Sequence, residues 1–218
     1  MKREIIQTED GSTTIRLPDW DECYHSKHGA IQEAYHVFIN NGLSEFKGRA
    51  VSVLEIGFGT GLNAFITYLE SPKYDQIDYV GVEAYPISGE EVAMMNYPSE
   101  LHAESHQGTF NLMHSSPFDQ PVKLSDSFSL TKLQKFFHEI DFTERFDLIY
   151  FDAFGYPVQP ELWTEEIFKL MYKSLKKSGI LVTYAARGII KRNMQASGFR
   201  VEKLAGPPGK REMMRGHK

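Results

Sequence analysis

Apolar residues along this chain fall into short dense runs, separated by longer stretches where they recur every three or four positions. The opening segment EIIQTEDGSTTIRL has β-rich halves around Asp10-Gly11, which predicts a hairpin. From Gly29 to Leu43, Ile31, Ala34, Tyr35, Phe38 and Ile39 keep a helical interval that stops at Asn41-Gly42. The pattern then alternates. AVSVLEI (50–56) reads as a buried strand and GLNAFITYLE as a helix. IDYVGVEA is a second strand, and SGEEVAMMNY a second helix, opened by Ser88 with Glu91 in capping-box position. FDLIYFDA is a strand, and PELWTEEIFKLMYKSLKKSG one long helix with Pro at its start and Gly179 as its stop. ILVTYA is a strand, RGIIKRNMQASG a helix ending at Gly198, and FRVEKLA and KREMMRG are short strands around the turn GPPG. Between Ser99 and Ile140, FNLMHS and FSLTKLQKFF both read as strands without an assigned place in the order.

Strands alternating with helices imply an α/β protein with a mostly parallel sheet covered on both faces. The last two strands share a tight turn and must be antiparallel. A parallel sheet closed by an antiparallel hairpin is the Rossmann-like architecture expected of class I methyltransferases. We read 1–218 as a single domain, with 1–45 a hairpin and helix covering the site and 50–218 the core. Composition agrees with an ordinary globular protein: 41% hydrophobic and 24% charged over 218 residues. The one cysteine, Cys23, excludes an internal disulfide and a thiol zinc site and fits a reducing cytoplasm. No signal-peptide core or membrane-length run is visible, so a cytoplasmic protein without membrane attachment is expected. The eight histidines show no metal-ligand spacing. Net charge is −5, yet from Lys191 onward Lys191, Arg192, Arg200, Lys203, Lys210, Arg211, Arg215 and Lys218 face only Glu202 and Glu212. Such a segment can meet phosphates or simply form a solvated face.

The chemistry begins at VLEIGFGTGLNAF. Gly57, Gly59 and Gly61 form a G-x-G-x-G turn between a strand and a helix, where the backbone can approach a ligand closely. Glu83 ends the next strand, 22 residues after Gly61, where an acid accepts hydrogen bonds from ribose hydroxyls. A dinucleotide fingerprint would carry its third glycine one residue later. Here Glu55 precedes the first glycine by two positions, the S-adenosylmethionine pattern. NAD, FAD and a purely structural glycine turn are the competing readings.

A second feature is YFDAFGYPVQPELW. An apolar strand stops on Asp152, beside the glycine-loop strand, at the sheet edge where ligands bind. DAFGYP is similar in shape to the D/N-P-P-Y/F box of amino-methyltransferases. Asp152 can orient an amine or take its proton, with Phe154, Tyr156 and Pro157 as candidate walls for a flat base. An Asx-turn is the structural alternative for Asp152, and packing is the expected role of Trp163. Lys191, Arg192, Lys210 and Arg211 are candidate phosphate contacts; for Lys210 and Arg211 the alternative is a plain hairpin.

Together DGSTTIRLPDWDECYHSKHGAIQEAYHVFINNGL, EIGFGTGLNAF, FDAFGYPVQPELW, LVTYAARGIIKRNMQASGF and GPPGKREMMRG resemble the methyltransferase domain of the bifunctional tRNA 5-methylaminomethyl-2-thiouridine biosynthesis family, in the same order and over most of the chain. The resemblance implies S-adenosylmethionine-dependent N-methylation of the aminomethyl group on a tRNA wobble uridine. It further implies that Gly57, Phe58, Gly59, Thr60, Gly61 and Asn63 meet the cofactor's methionine part, that Glu83 meets the ribose, and that Asp152 lies near the amine. The family's YFS…E stretch matches Tyr24, Ser26 and Glu33, with His25 as a departure; Glu33 is expected near the cofactor's amino group. The family's Gly-Asp on the adenine side is missing from TKLQKFFHEID, where His138 or Glu139 stands. Bifunctional relatives continue into a flavin oxidase domain. This chain stops at Lys218, so FAD is not expected, and a separate flavin oxidase or upstream tRNA-modification enzyme would supply the aminomethyl intermediate.

Two rival functions remain. Aminopropyl or methyl transfer to a small polyamine fits the fold, but needs more carboxylates than Asp152 and Glu161. A catalytically silent RNA-binding module conflicts with the glycine loop, Glu83 and Asp152.

Overall fold

The computed structural model describes residues 2–218. The chain begins with a small antiparallel sheet of β1 (Glu4–Gln7), β2 (Thr13–Leu17) and β3 (Glu22–Cys23). Helix α1 (Ala30–Ala34) continues as a π-helical turn over Tyr35–Asn40. The core follows: β4 (Ala50–Ile56), α2 (Leu62–Glu70), β5 (Gln76–Val82), α3 (Gly89–Ala93), α4 (Tyr97–Glu100) and α5 (Gln107–Ser115). Then come β6 (Pro121–Ser125), β7 (Phe128–Leu133), β8 (Phe146–Phe151), α6 (Glu165–Ser174), β9 (Leu175–Thr183), α7 (Gly188–Ala196), β10 (Arg200–Ala205) and β11 (Glu212–His217).

The eight core strands form one sheet in the order β10-β11-β9-β8-β4-β5-β7-β6. β7, β5, β4, β8 and β9 pair in parallel, and the hairpins β6–β7 and β10–β11 close the two edges antiparallel. This is the Rossmann-like class I arrangement. β4 sends the chain to β5 on one side and meets β8 on the other, so a crevice opens at the carboxyl ends of β4 and β8.

Strand alternation divides the core into two layers. Val53, Tyr79 and Tyr150 face one side with Phe38, Phe65 and Phe110. Leu54, Ile56, Ile149 and Phe151 face the other with Trp163, Phe168 and Met194. Both layers sit beneath the crevice and leave the strand ends little freedom to move. Among the described residues no helix is long and apolar enough to cross a membrane.

Two expectations change. FNLMHS lies in α5, not in a strand: Phe110 and Met113 are buried three residues apart, a helical spacing, while Leu112 between them is exposed. The single long helix from Pro160 to Gly179 is in fact broken twice. Pro160–Trp163 is a 3-10 turn, and Thr164 caps α6, its hydroxyl accepting from Ile167 N. Leu175–Gly179 belongs to β9, whose register against β8 slips between Leu175 and Ile180. The residues that resemble a helix terminus, Lys176-Lys177-Ser178-Gly179, are that irregularity.

Candidate active site

At the end of β4 the chain turns through Gly57–Gly61 into α2. Gly57 has φ +90°, and a Cβ there would stand 2.3 Å from the carbonyl oxygen of Asp152. Only glycine therefore lets the loops after β4 and β8 touch. The amides of Gly57 and Phe58 both donate to Val82 O at 3.0 Å. Side chains of the loop are held from behind. Phe58 is buried against Gly81 and His114. Tyr97 Oη donates to Thr60 Oγ1 at 2.9 Å, and His25 Nε2 lies 3.4 Å from the same oxygen. His25, the residue that departs from the family pattern, is thus a support of the loop. Burial pushes its pKa down to about 4, with Lys210 acting in the same direction, so its imidazole is neutral.

Glu83 follows β5 at the crevice. Its carboxylate accepts from Gly59 N and from Tyr85 N, both at 2.9 Å. Asp152 follows β8, its amide donating to Ile56 O at 2.9 Å. Its Oδ2 accepts from Asn63 Nδ2 of α2 at 2.8 Å, which fixes the carboxyl plane. Burial, and then the charge of Glu33, push the Asp152 pKa up to about 7 against the opposing pull of Asn63 and Lys210. Glu33, buried in α1, accepts from Ser26 N at 3.2 Å through Oε1 and pairs with Lys210 Nζ through Oε2.

A cleft of about 610 Å³ opens beside these groups. Tyr24, His25, Ser26 and Glu33 line one side, and Gly155, Tyr156 and Pro157 another. Tyr184, Arg187 and the Lys210–Glu212 segment complete it. Such a volume is that of a small-ligand site. The glycine cradle, whose backbone a side chain would obstruct, and the fixed Glu83 carboxylate fit a nucleoside cofactor. Among the described residues no group of His, Cys, Asp or Glu could hold a metal ion.

The structure redistributes three expected site residues. Glu55 is fully enclosed, so it cannot reach a ligand in the crevice. Neither of its carboxyl oxygens makes a hydrogen bond, and burial, with Asp152 nearby, holds its pKa well above the usual carboxylate range. It is a buried acid beneath the loop. Phe154 does not line the cleft; its ring packs edge-on against Trp20 and Tyr24, at centroid distances of 5.7 and 5.0 Å. Lys210 turns inward to Glu33, whereas Lys191, Arg192 and Arg211 make no ion pair among the described residues. Trp163 is completely buried, and its indole donates to Phe154 O at 2.8 Å, so it braces the Asp152 loop from the core.

Three contributors escape sequence reasoning. Tyr184, at the end of β9, donates its hydroxyl to Ala153 O at 2.8 Å. Its position at a parallel strand end is the one signal that marks it. Arg187 joins the cleft from the start of α7. Arg3 reaches across the crevice to Glu91 Oε2 at 3.0 Å and Tyr85 O at 2.9 Å, tying the N-terminal strand to the segment after Glu83.

Comparison with known proteins adds the family. The model of an S-adenosyl-L-methionine-dependent methyltransferase family matches residues 110–218. The tRNA 5-methylaminomethyl-2-thiouridine biosynthesis bifunctional protein MnmC of Cupriavidus metallidurans is 29% identical, over 96% of this chain and 33% of its own length. The protein of the same name from Methylobacillus flagellatus is 29% identical, over 89% and 32%. The chain thus spans about a third of these relatives. The crystal structure of MnmC2 from Aquifex aeolicus superposes with a TM-score of 0.79 at 24% identity, covering 99% of this chain and 69% of that one, which shows a shared fold.

Proposed function

The chain belongs to the S-adenosyl-L-methionine-dependent methyltransferases, and we propose that it transfers the methyl group to the aminomethyl nitrogen of a tRNA wobble uridine, giving the methylaminomethyl form. The observation that carries this reading is Asp152: a carboxyl group aligned by Asn63 at the crevice of the sheet, with Arg187 and Arg211 lining the adjoining cleft. The names of the relatives point to the same modification.

When bound, the cofactor supplies an electrophilic methyl group on a sulfonium. The backbone of Gly57–Gly61, with Asn63, Tyr24 and Ser26, holds its amino-acid end, and Glu83 takes the ribose hydroxyls. Glu33 faces its amino group. Asp152 acts at the acceptor nitrogen. It accepts an N–H of the neutral amine, aims the lone pair, and receives the proton that nitrogen sheds once it carries the methyl. A pKa of about 7 suits a group that must take a proton at neutral pH. Tyr156 and Pro157 are the aromatic and rigid wall for the base. The 1–45 segment covers the site by contributing Tyr24, Ser26 and Glu33.

The charge at the rim favours RNA over a polyamine. Three of the four acids lining the cleft are already engaged: Asp21 with Arg16, Glu212 with Lys203, Glu33 with Lys210, while Glu22 has no cationic partner among the described residues. Of the cations lining the cleft, Lys27, Arg187 and Arg211 have no carboxylate partner among the described residues; nor do Lys191 and Arg192, which follow Arg187 on α7 but do not line it. A polycation would meet unpaired cations, whereas a phosphate backbone would neutralise them.

The test is nucleoside mass spectrometry. tRNA from a strain lacking this protein should accumulate aminomethyl uridine, and the purified protein with S-adenosylmethionine should convert it to the methylaminomethyl nucleoside. Absence of both changes would overturn the reading.

A further inference from the structure

Lys210 and Arg211 are neighbours in sequence and opposites in environment. Arg211 is exposed and has no carboxylate partner among the described residues. Lys210 pairs with the buried Glu33, and its Nζ lies 3.9 Å from the centroid of the Tyr184 ring. That ring is itself fixed, because Tyr184 Oη donates to Ala153 O, one residue from Asp152. The turn that carries Lys210 is seated on the N-terminal cover. His36 Nε2 stands 2.8 Å from Ala205 O, and a Cβ on Gly209 would come within 2.3 Å of the His28 ring. The ammonium is therefore placed by packing on both sides, although 31% of the side chain stays exposed toward the cleft. A phosphate anchor needs a cation free to exchange its counterion for the nucleic acid; this one already faces a carboxylate and an aromatic ring.

Several groups face Asp152. Glu33 comes from α1, Asn63 from α2, Glu55 from the end of β4 and Tyr184 from the end of β9. Among the described residues in that set, Lys210 is the one cation. On the proposed reading of the site as an amine methyltransferase, we propose that Lys210 is a positioning residue for the transfer: the internal counter-charge that offsets Glu33 and lets Asp152 act as a proton acceptor beside the acceptor amine, and not a phosphate anchor.

Two consequences follow from charge alone. Without Lys210, the charge of Glu33 would act on Asp152 uncompensated, and Asp152 would become an acceptor only at higher pH. The same positive charge also disfavours an ammonium in its neighbourhood, and so keeps the acceptor amine in the neutral form that can attack. Glu33 pushes the Asp152 pKa up and Lys210 pulls it down, in the senses this arrangement requires.

The decisive measurement needs no substrate. The Asp152 carboxyl is titrated by carbon-13 NMR in the ligand-free protein, its signal assigned by its loss in Asp152→Asn. Lys210→Met should move the titration up by about one pH unit or more, and Lys210→Arg should hold it near the parent value. Glu33→Gln should move it down, and the Glu33→Gln, Lys210→Met double variant should lie below Lys210→Met alone. In turnover on tRNA, the acid limb of kcat/KM should follow the same order. The slope of log Kd against log salt should change for Arg211→Met and not for Lys210→Met. An unmoved titration in Lys210→Met, with a flattened salt slope, would make Lys210 a phosphate anchor and overturn the proposal. Should Lys210→Met fail to fold, an unmoved titration in Glu33→Gln overturns it equally. A titration that moves while no methyl reaches tRNA leaves the Lys210 assignment standing and removes the RNA reading instead.

Discussion

Asp152→Asn separates chemistry from stability in one substitution. The amide is isosteric, and its oxygen can still accept from Asn63 Nδ2, so the local geometry survives. The folded carboxyl titrates near 7, whereas the unfolded chain returns to 3.8. The sign is the reverse of the usual acid. Below about pH 4 the group is protonated in both states and leaves stability unchanged. Between about pH 4 and pH 7 the folded state holds the extra proton, so stability falls as pH rises, and above about pH 7 the loss is complete. A difference of about three pH units, at about 1.4 kcal/mol each, sets a ceiling of about 4 kcal/mol. Solvent reaching the cleft screens part of this, leaving about 1–3 kcal/mol. Asp152→Asn should therefore be no more stable than the parent at pH 4.5. At pH 8 it should melt several degrees higher, at about 2–4 °C per kcal/mol for a chain of this size. Thermal unfolding across pH 4.5–8.5 measures both limits. A difference in Tm that does not vary with pH, or an Asn variant less stable at pH 8, would refute the reasoning. The same variant should lose at least about a hundredfold in turnover while still binding cofactor.

Gly57→Ala should lose cofactor binding in calorimetry and destabilise the fold by about 2–4 kcal/mol, because its Cβ meets Asp152 O at 2.3 Å on a backbone with positive φ. Charge reversal of Lys191 and Arg192 together should weaken tRNA binding and reduce the salt slope by about two, with kcat at saturating tRNA unchanged; an unchanged slope would return α7 to an ordinary solvated face.

The parts legible in sequence are those whose cause is local. AVSVLEI reads as a strand because β4 is central and buried on both faces, and the Ser88–Glu91 capping box forms with both of its hydrogen bonds. Gly57, Glu83 and Asp152 are legible as a set because each follows a strand, and parallel strands bring their carboxyl ends together. α5 is not legible, since exposed Leu112 completes an apolar run that looks like a strand. Nor is the break at Thr164 or the irregular start of β9, because Lys and Gly mark a helix end as readily as a strand slip. Within the site, the pairs Lys210–Glu33, Tyr97–Thr60 and Arg3–Glu91 have no local signature. Each depends on how distant segments dock, so Lys210 reads as a surface cation until its partner is visible. Glu55 shows the converse: a motif position that suggests a ligand contact is filled by a buried acid under the loop.

The ion pair between residues 33 and 210 spans 177 positions, and this has a consequence for synthesis. A ribosome making this chain releases the glycine loop, Glu83 and Asp152 well before the last hairpin. During that interval the nascent sheet lacks the strand β11 that fits between β9 and β10, and the carboxylates of the cleft lack their counter-ion. The pair therefore forms only when the β10–β11 hairpin docks on the N-terminal cover. Chains interrupted before Lys210 should carry the cofactor motif without the counter-charge beside Glu33.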